Sequence, residues 1–162
     1  MKLFQNLMGK DNGILVESPV SGRLVSIKEV NDPTFSEEVL GKGAAVIPSG
    51  HRICSPVDGT VTTMFPTGHA AGITGDDGVV VLVHVGLDTV KLKGEHFTIH
   101  VSDGQKVKKG DLLMEADIEK IKEAGYDVIT PVIVCNSDEF SEVKMEETGD
   151  VAQGDVILKL KK

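Results

Sequence analysis

The chain has 162 residues, of which 40% are hydrophobic and 26% are charged. This is the composition of a globular protein with a buried core, and it excludes a disordered or fibrous chain. The formal net charge of -8, a single Tyr and no Trp argue against nucleic-acid binding, because such surfaces are basic and use aromatic rings to stack on bases. Cys54 and Cys135 lack the CxxC spacing of a zinc or redox site, so both are expected to be buried thiols.

The N-terminal segment MKLFQNLMGK is predicted to be either a short amphipathic helix or a frayed terminus. Four apolar residues fall at helical spacing between its lysines: Leu3, Phe4, Leu7 and Met8. As a helix, residues 1–10 would make weak contact with a membrane surface or a partner. We therefore divide the chain into a flexible or amphipathic segment, 1–12, and one domain, 13–162. No apolar run reaches the roughly 20 residues of a membrane span, and the start is too short and polar for a signal peptide, which predicts a cytoplasmic protein.

From residue 13 onward, short stretches rich in Val, Ile and Leu alternate with turn sequences rich in Gly, Pro, Asp and Ser. Regularly spaced short strands of this kind predict an all-β fold, an antiparallel β-sandwich or barrel-sandwich hybrid. Helical signal is confined to short segments, FSEEVLG at 35–41 and EADIEKIKEAG at 115–125. Only short helical turns are expected there.

Two weak internal repeats predict duplicated β units. The sequence SPVSGRLVSI at 18–27 recurs as SPVDGTVTTM at 55–64, and DGQKVKKGDLLMEAD at 103–117 recurs as ETGDVAQGDVILKLK at 147–161. Biotinyl and lipoyl carrier domains have similar motifs, but no lysine with their characteristic flanking residues sits in a hairpin here. A swinging-arm carrier is therefore disfavoured.

The stretch VVVLVHVGLDTVKL at 79–92 places a histidine within a strand that otherwise has a core composition. Strand alternation predicts two faces. One face, towards the core, carries Val79, Val81 and Val83, and the other carries Val80, Leu82 and His84.

The turn sequence GDDG then determines whether His84 meets His69 on the preceding strand. A two-residue turn at Asp76-Asp77 sets the two histidines directly opposite each other. A turn at Asp77-Gly78 makes them diagonal neighbours on one face, whereas a three-residue loop would separate them. We predict one of the first two registers and hence a histidine pair.

Two facing imidazoles suit phosphoryl transfer or metal binding. A neutral imidazole nitrogen is a good nucleophile near pH 7, and a second ring can donate a hydrogen bond to the incoming phosphoryl group. Thr67, two residues before His69, can hold that second ring in the required tautomer. The same pair with Asp88 as a third ligand would instead bind zinc. Spacing alone leaves both possibilities open.

Four stretches resemble, in order, the glucose-type IIA component of the bacterial phosphoenolpyruvate-dependent sugar phosphotransferase system. They are SPVSGRLVSIKEVNDPTFSEEVLGKGAAVIPSG, SPVDGTV, VHVGLDTVKLKGEHF and GQKVKKGD. The resemblance, which runs from about residue 13 to residue 162, implies a phosphotransferase component that needs no cofactor. It implies that His84 is phosphorylated on Nε2 by the phosphohistidine of HPr and passes the group to a cysteine of a sugar-specific IIB domain. His69 would then be its companion and Thr67 the residue that orients this companion.

The resemblance also implies a docking face for partner proteins around the histidines. Asp32 and Asp88 match acidic residues at its rim, where an arginine of the donor sits. The remaining positions form its apolar patch, with Ala71 where an aromatic side chain is common: Thr34, Phe35, Ala71, Leu82 and Val90. The same face would serve regulatory targets such as permeases or kinases.

Two alternatives to a phosphocarrier are a zinc hydrolase and a purely regulatory binding module. Lysostaphin-type peptidases resemble this architecture, but the HxH ligand pair that they use is absent where the chain reads His84, Val85, Gly86. Thr74 occupies the position of a carboxylate that some enteric family members use for intermolecular zinc binding. No metal site is therefore expected.

Overall fold

The computed structural model describes residues 13–162, and the predicted N-terminal segment 1–12 lies outside the described residues. In the described range the chain forms fourteen strands and two short α-helices. The strands are β1 (Ile14–Glu17), β2 (Gly22–Ser26), β3 (Lys42–Pro48), β4 (Arg52–Cys54), β5 (Gly59–Met64), β6 (Ala70–Gly75), β7 (Val80–His84), β8 (Phe97–Ile99), β9 (Lys106–Val107), β10 (Leu112–Ala116), β11 (Thr130–Val134), β12 (Glu142–Met145), β13 (Gly149–Val151) and β14 (Val156–Lys161). The helices are α1 (Pro33–Ser36) and α2 (Ile118–Glu123), and 3₁₀ turns cover Ile27–Glu29, Thr89–Leu92 and Ser137–Glu139.

The strands form one large and two small antiparallel sheets. The large sheet has the order β13-β2-β3-β11-β7-β6-β5-β9, and the small sheets have the orders β1-β14-β12 and β4-β10-β8. The main hydrophobic core draws on all three sheets, with Val81 and Val83 from the large one and Leu158 and Met114 from the small ones. The predicted all-β antiparallel sandwich is thus confirmed.

Both helices are short and capped by aspartates. Asp117 accepts a hydrogen bond from the Lys120 N–H at the start of α2, which buries Ile118 and Ile121. Asp32 caps α1 by accepting from the Thr34 N–H at 3.0 Å. Because proline is favoured in the first helical turn, α1 begins at residue 33, before the predicted segment 35–41.

No helix among the described residues is long and apolar enough to cross a membrane.

The predicted duplication is visible in two equivalent serine turns. The hydroxyl groups of Ser18 and Ser55 are buried and donate to the carbonyl groups of Val20 and Val57, each at 2.7 Å. Both serines thus close the same local turn in front of a strand of the large sheet, β2 in one copy and β5 in the other.

The two copies are hydrogen-bonded to each other through their backbones. The Glu17 N–H donates to the Pro56 carbonyl at 3.0 Å, and the Cys54 N–H donates to the Pro19 carbonyl at 2.8 Å. In each copy, the residue before the serine donates to the carbonyl of the proline that follows the serine of the other copy. These two hydrogen bonds join the β2 and β5 regions.

A second apolar cluster lies on the outer face of the large sheet. It consists of Val25, Ile27, Val30, Phe35, Ala45, Leu87, Ile129 and Ile133, with Leu82 packed against it. The segment that contains α1 folds over this face, and this packing brings Phe35 beside the end of β7.

The two cysteines differ in exposure. Cys54 is buried, as predicted, but Cys135 is exposed, so the prediction of two buried thiols is wrong for the second residue. Cys135 follows the last residue of β11, and its backbone N–H still donates to the Val80 carbonyl at 2.8 Å while the chain leaves the sheet.

Candidate functional site

The hairpin of β6 and β7 carries the predicted histidine pair, but in a register that differs from both predicted ones. The Gly75 N–H donates to the Val79 carbonyl at 2.6 Å, which closes a three-residue loop at 76–78. Gly78 has φ 95°, and a left-handed third residue is typical of three-residue hairpin loops. The predicted two-residue turns are therefore wrong, because Asp76, Asp77 and Gly78 together form the loop.

The histidine rings nevertheless lie side by side, with centroids 5.0 Å apart and planes at 85°. Ala70, not His69, is the strand partner of His84. His69 precedes the first residue of β6, where the chain turns at Gly68 with φ 74°. Its carbonyl accepts the Val85 N–H at 2.7 Å. Because strand alternation does not govern a residue before the strand, the side chain of His69 reaches the face that carries His84.

The alternation predicted for β7 is confirmed. The side chains directed to the core are fully buried: Val79, Val81 and Val83. The residues between them are partly exposed on the outer face: Val80, Leu82 and His84.

The His84 ring is held by the backbone two residues further on. Its Nδ1 lies 2.7 Å from the Gly86 carbonyl oxygen. Because a carbonyl can only accept, Nδ1 carries the proton, and in the neutral ring Nε2 holds the lone pair. Burial lowers the pKa of His84, while the Gly86 bond and the carboxylates of Asp32 and Asp88 oppose this effect. The ring therefore presents an unprotonated Nε2 near neutral pH.

The His69 ring is neutral and held by Thr67. Its Nδ1 lies 2.5 Å from the Thr67 Oγ1, and the residue is only 4% exposed. Burial, and then the neighbouring His84, lower the pKa of His69 to about 4. A threonine hydroxyl can donate or accept, and when it donates to Nδ1, the proton of His69 lies on Nε2. In that tautomer His69 is a hydrogen-bond donor beside a ring that carries a lone pair.

A shallow surface depression surrounds the two rings and brings together most of the predicted docking residues. It is lined by Asp32, Thr34, Phe35, Leu40, Phe65, His69, Leu82, His84, Asp88 and Val90. The ring of Phe35 lies 5.1 Å from that of His84, and the ring of Phe65 lies 5.4 Å from that of His69. Val90 is half exposed, so the apolar rim faces solvent.

Ala71 is the predicted docking residue that the structure places elsewhere. It is fully buried, pairs with Val83 and belongs to the main core. The three-residue loop shifts its side chain to the inner face of the sheet, so the prediction is wrong. The aromatic side chain of the depression is instead Phe65, whose N–H donates to the Ala70 carbonyl at 3.1 Å.

Phe65 and Leu40 are the lining residues that sequence reasoning missed. Phe65 directly precedes the turn Pro66-Thr67-Gly68, and a hairpin at this turn would have placed it across from the start of β6. Leu40 is 40% exposed. An apolar pair, Val39-Leu40, at the end of a polar segment was the signal available for this residue.

The part of the chain that the structure describes contains no set of ligands for the zinc site considered as an alternative. In residues 13–162, no three or more His, Cys, Asp or Glu side chains are grouped closely enough to hold a metal ion. Asp88 lies at the rim of the depression instead.

The buried pair predicts a loss of stability in mild acid that depends on His69. Because the folded-state pKa of His69 is lowered from 6.5 to about 4, the unfolded chain binds a proton in this interval that the folded chain does not. Stability is therefore complete above pH 6.5 and falls as the pH drops towards 4, by roughly 3 kcal/mol for this residue alone. Since glutamine does not titrate, His69→Gln should show a shallower fall in the free energy of unfolding, measured with denaturant across this interval. Parallel curves for the two proteins would contradict the buried neutral ring.

The fold and the site together define a class of protein, an antiparallel β-sandwich with a partly exposed histidine beside a second, buried histidine. Residues 14–140 match the family model described as phosphoenolpyruvate-dependent sugar phosphotransferase system, EIIA 1. The glucose-specific EIIA component of Haemophilus influenzae is 41% identical over 167 residues, and the match covers 100% of both chains. The glucose permease IIA of Mycoplasma capricolum has the same fold, with a TM-score of 0.86, 35% identity and coverage of 94% of this chain and 98% of that one.

The chain therefore belongs to the EIIA 1 family of the sugar phosphotransferase system, as the sequence motifs predict. It is a phosphotransferase component of the phosphocarrier type. Some relatives are much longer. The beta-glucoside-specific EIIBCA component of Bacillus subtilis is 49% identical over 146 residues, which cover 90% of this chain and 24% of that protein. The chain thus spans about a quarter of the length of this relative.

Proposed function

We propose that His84 accepts a phosphoryl group on Nε2 from the phosphohistidine of HPr and passes it to a cysteine of a sugar-specific IIB domain. The observation that carries this proposal is the bond between His84 Nδ1 and the Gly86 carbonyl, since it leaves Nε2 as the nucleophile on an open face. A IIB acceptor is supported by relatives named EIIBCA and EIICBA, in which the matching part belongs to a longer chain. The reaction takes place in the cytoplasm in this proposal.

In the accepting step, the lone pair of His84 Nε2 forms a bond to phosphorus while the N–P bond of the donor breaks. The electron pair of that bond returns to the donor imidazole, and the proton of His84 stays on Nδ1, which continues to donate it to the Gly86 carbonyl. The transition state is loose and in line, so the protein contributes position and hydrogen bonds to the phosphoryl oxygens. His69 supplies one such bond from Nε2, and Thr67 keeps the proton there by donating to Nδ1.

The depression around the rings is the proposed docking face. Phe35, Phe65 and Leu82 form an apolar floor beside the rings, and Asp32 and Asp88 provide negative charge at the rim. An arginine of the donor would be attracted to this rim and would steady the phosphoryl group during transfer. The remaining docking positions in the proposal are Thr34, Leu40 and Val90.

Phosphorylation would also switch the face for regulatory partners such as permeases or kinases. A phosphoryl group brings about -1.5 to -2 charges near neutral pH. Placed between Phe35 and Phe65, this charge would disfavour any partner that buries the apolar floor. The unphosphorylated protein is thus the form proposed to bind such targets.

The proposal is tested by incubating the full chain with phosphoenolpyruvate, enzyme I and HPr and then locating the label by mass spectrometry under conditions that preserve phosphohistidine. One phosphoryl group on His84 is expected, and it should leave again when a IIB domain is added. An unlabelled protein, or a label on a residue other than His84, would overturn the proposal. Omitting HPr from an otherwise complete mixture tests the identity of the donor, since enzyme I alone should not label the chain.

A further inference from the structure

The turn that follows His84 is closed by a buried hydroxyl group. Thr89 is fully buried, and its Oγ1 donates to the Val85 carbonyl at 2.5 Å. Between these residues, Gly86 and Asp88 both have left-handed backbones, with φ 82° and 60°. The chain therefore reverses within five residues, and the side-chain bond of Thr89 joins the two ends of the reversal.

This reversal fixes the peptide whose carbonyl holds the His84 ring. On one side, the Gly86 N–H donates to the Ile129 carbonyl at 3.1 Å, and the Leu87 N–H donates to the Asp127 carbonyl at 3.0 Å. On the other side, Thr89 packs against Gly86 so closely that a Cβ on the glycine would lie 2.5 Å from the threonine Cγ2. Thr89 thus contacts the turn through its methyl group and bonds it through its hydroxyl.

We propose that Thr89 is a positioning residue for phosphoryl transfer: its hydroxyl anchors Val85, and this anchor keeps the Gly86 carbonyl on His84 Nδ1. This inference rests on the proposed function of His84. Without the anchor, the reversal keeps its backbone bonds to Ile129 and Asp127 but loses its side-chain brace, so the Gly86 carbonyl shifts away from the ring. The tautomer with its proton on Nε2 is then populated, and this tautomer has no lone pair with which to attack phosphorus.

The test compares two substitutions at position 89. Thr89→Val keeps the shape but removes the hydroxyl, whereas Thr89→Ser keeps the hydroxyl and removes the methyl group. Nitrogen-15 NMR of the imidazole should show His84 with its proton on Nδ1 in the wild type and in Thr89→Ser, and a mixture of tautomers in Thr89→Val. The kcat for phosphorylation by HPr should fall about tenfold in Thr89→Val, which is the lower end of the loss seen when groups that orient metal-ligating histidines are removed. The KM for HPr should not change, since Thr89 does not line the docking face.

The matched control is Ser18→Ala, which removes another buried hydroxyl that donates to a backbone carbonyl. It should lower stability without changing the tautomer of His84. A Thr89→Val protein with wild-type tautomer and kcat would overturn the inference, as would equal losses in Thr89→Val and Thr89→Ser.

Folding failure is also informative. If Thr89→Val does not fold, Thr89→Cys takes its place, because a thiol is a weak donor. If neither folds while Thr89→Ser is native, the hydroxyl serves the fold as a whole and the inference is wrong. A wild-type protein that HPr does not label would contradict the proposed function instead, and the NMR comparison would still decide whether Thr89 sets the tautomer.

Discussion

Replacing His84 with glutamine should abolish phosphorylation by HPr and leave the fold intact. The nitrogen of a glutamine amide has no available lone pair, so it cannot form the bond to phosphorus that Nε2 of the imidazole forms. The side chain of His84 is partly exposed at the end of β7, and glutamine can replace its hydrogen bond to the Gly86 carbonyl. The measurement is the amount of acid-labile phosphate on the protein after incubation with phosphoenolpyruvate, enzyme I and HPr.

The control for this substitution is His100→Gln, which changes an exposed histidine paired with Glu115 outside the depression. It should be labelled like the wild type. Thermal unfolding of both variants checks that the loss is chemical. If His84→Gln is labelled normally at a histidine, the assignment of the nucleophile is wrong.

Replacing His69 with glutamine should have a different effect, namely acceptance of the phosphoryl group without its delivery. Acceptance moves the group from one neutral imidazole to another, and the glutamine amide can still donate one hydrogen bond to its oxygens. Delivery requires a thiolate, an anion, to approach a dianionic phosphoryl group. A dianion beside His69 favours the protonated ring, and the resulting cation offsets this repulsion, which an uncharged amide cannot do. Loss of one such donor typically lowers a rate by about 100-fold or more.

Single-turnover transfer from purified phosphorylated His69→Gln protein to a IIB domain measures the second step separately. Thr67→Val provides the companion variant, since it removes the hydrogen bond to Nδ1 but keeps the ring. Its delivery rate should lie between those of the wild type and His69→Gln. Equal losses in both steps would show that His69 is needed for attack itself and would contradict this division of roles.

The fold class was predictable because turn sequences and strand periodicity recur along the whole chain. The faces of β7 follow from alternation alone, and the two SPV segments predict the duplication from the sequence. The predicted start of the first helix is too late, because Asp32 and Pro33 define it and both precede the segment FSEEVLG.

Most residues of the site could be predicted from the sequence, but their arrangement could be predicted only in part. The register depends on whether the loop contains two or three residues, and the sequence GDDG is compatible with both. His69 meets His84 through a bend at Gly68 that no period-2 pattern describes. Ala71 was assigned to the docking face by the resemblance alone, whereas the observed register directs its side chain into the core. Thr89, whose buried hydroxyl bonds to Val85, gave no signal because a threonine after Asp88 reads as an ordinary turn residue.

The reciprocal backbone bonds between the two SPV copies have a consequence for how such a chain can be divided. The Glu17 N–H has the Pro56 carbonyl as its hydrogen-bond acceptor, and the Cys54 N–H has the Pro19 carbonyl. A half-length polypeptide with one copy would leave these groups without partners unless two identical molecules came together and exchanged them. The present single chain thus has the internal pseudosymmetry of a homodimer, with the two equivalent units joined in one polypeptide.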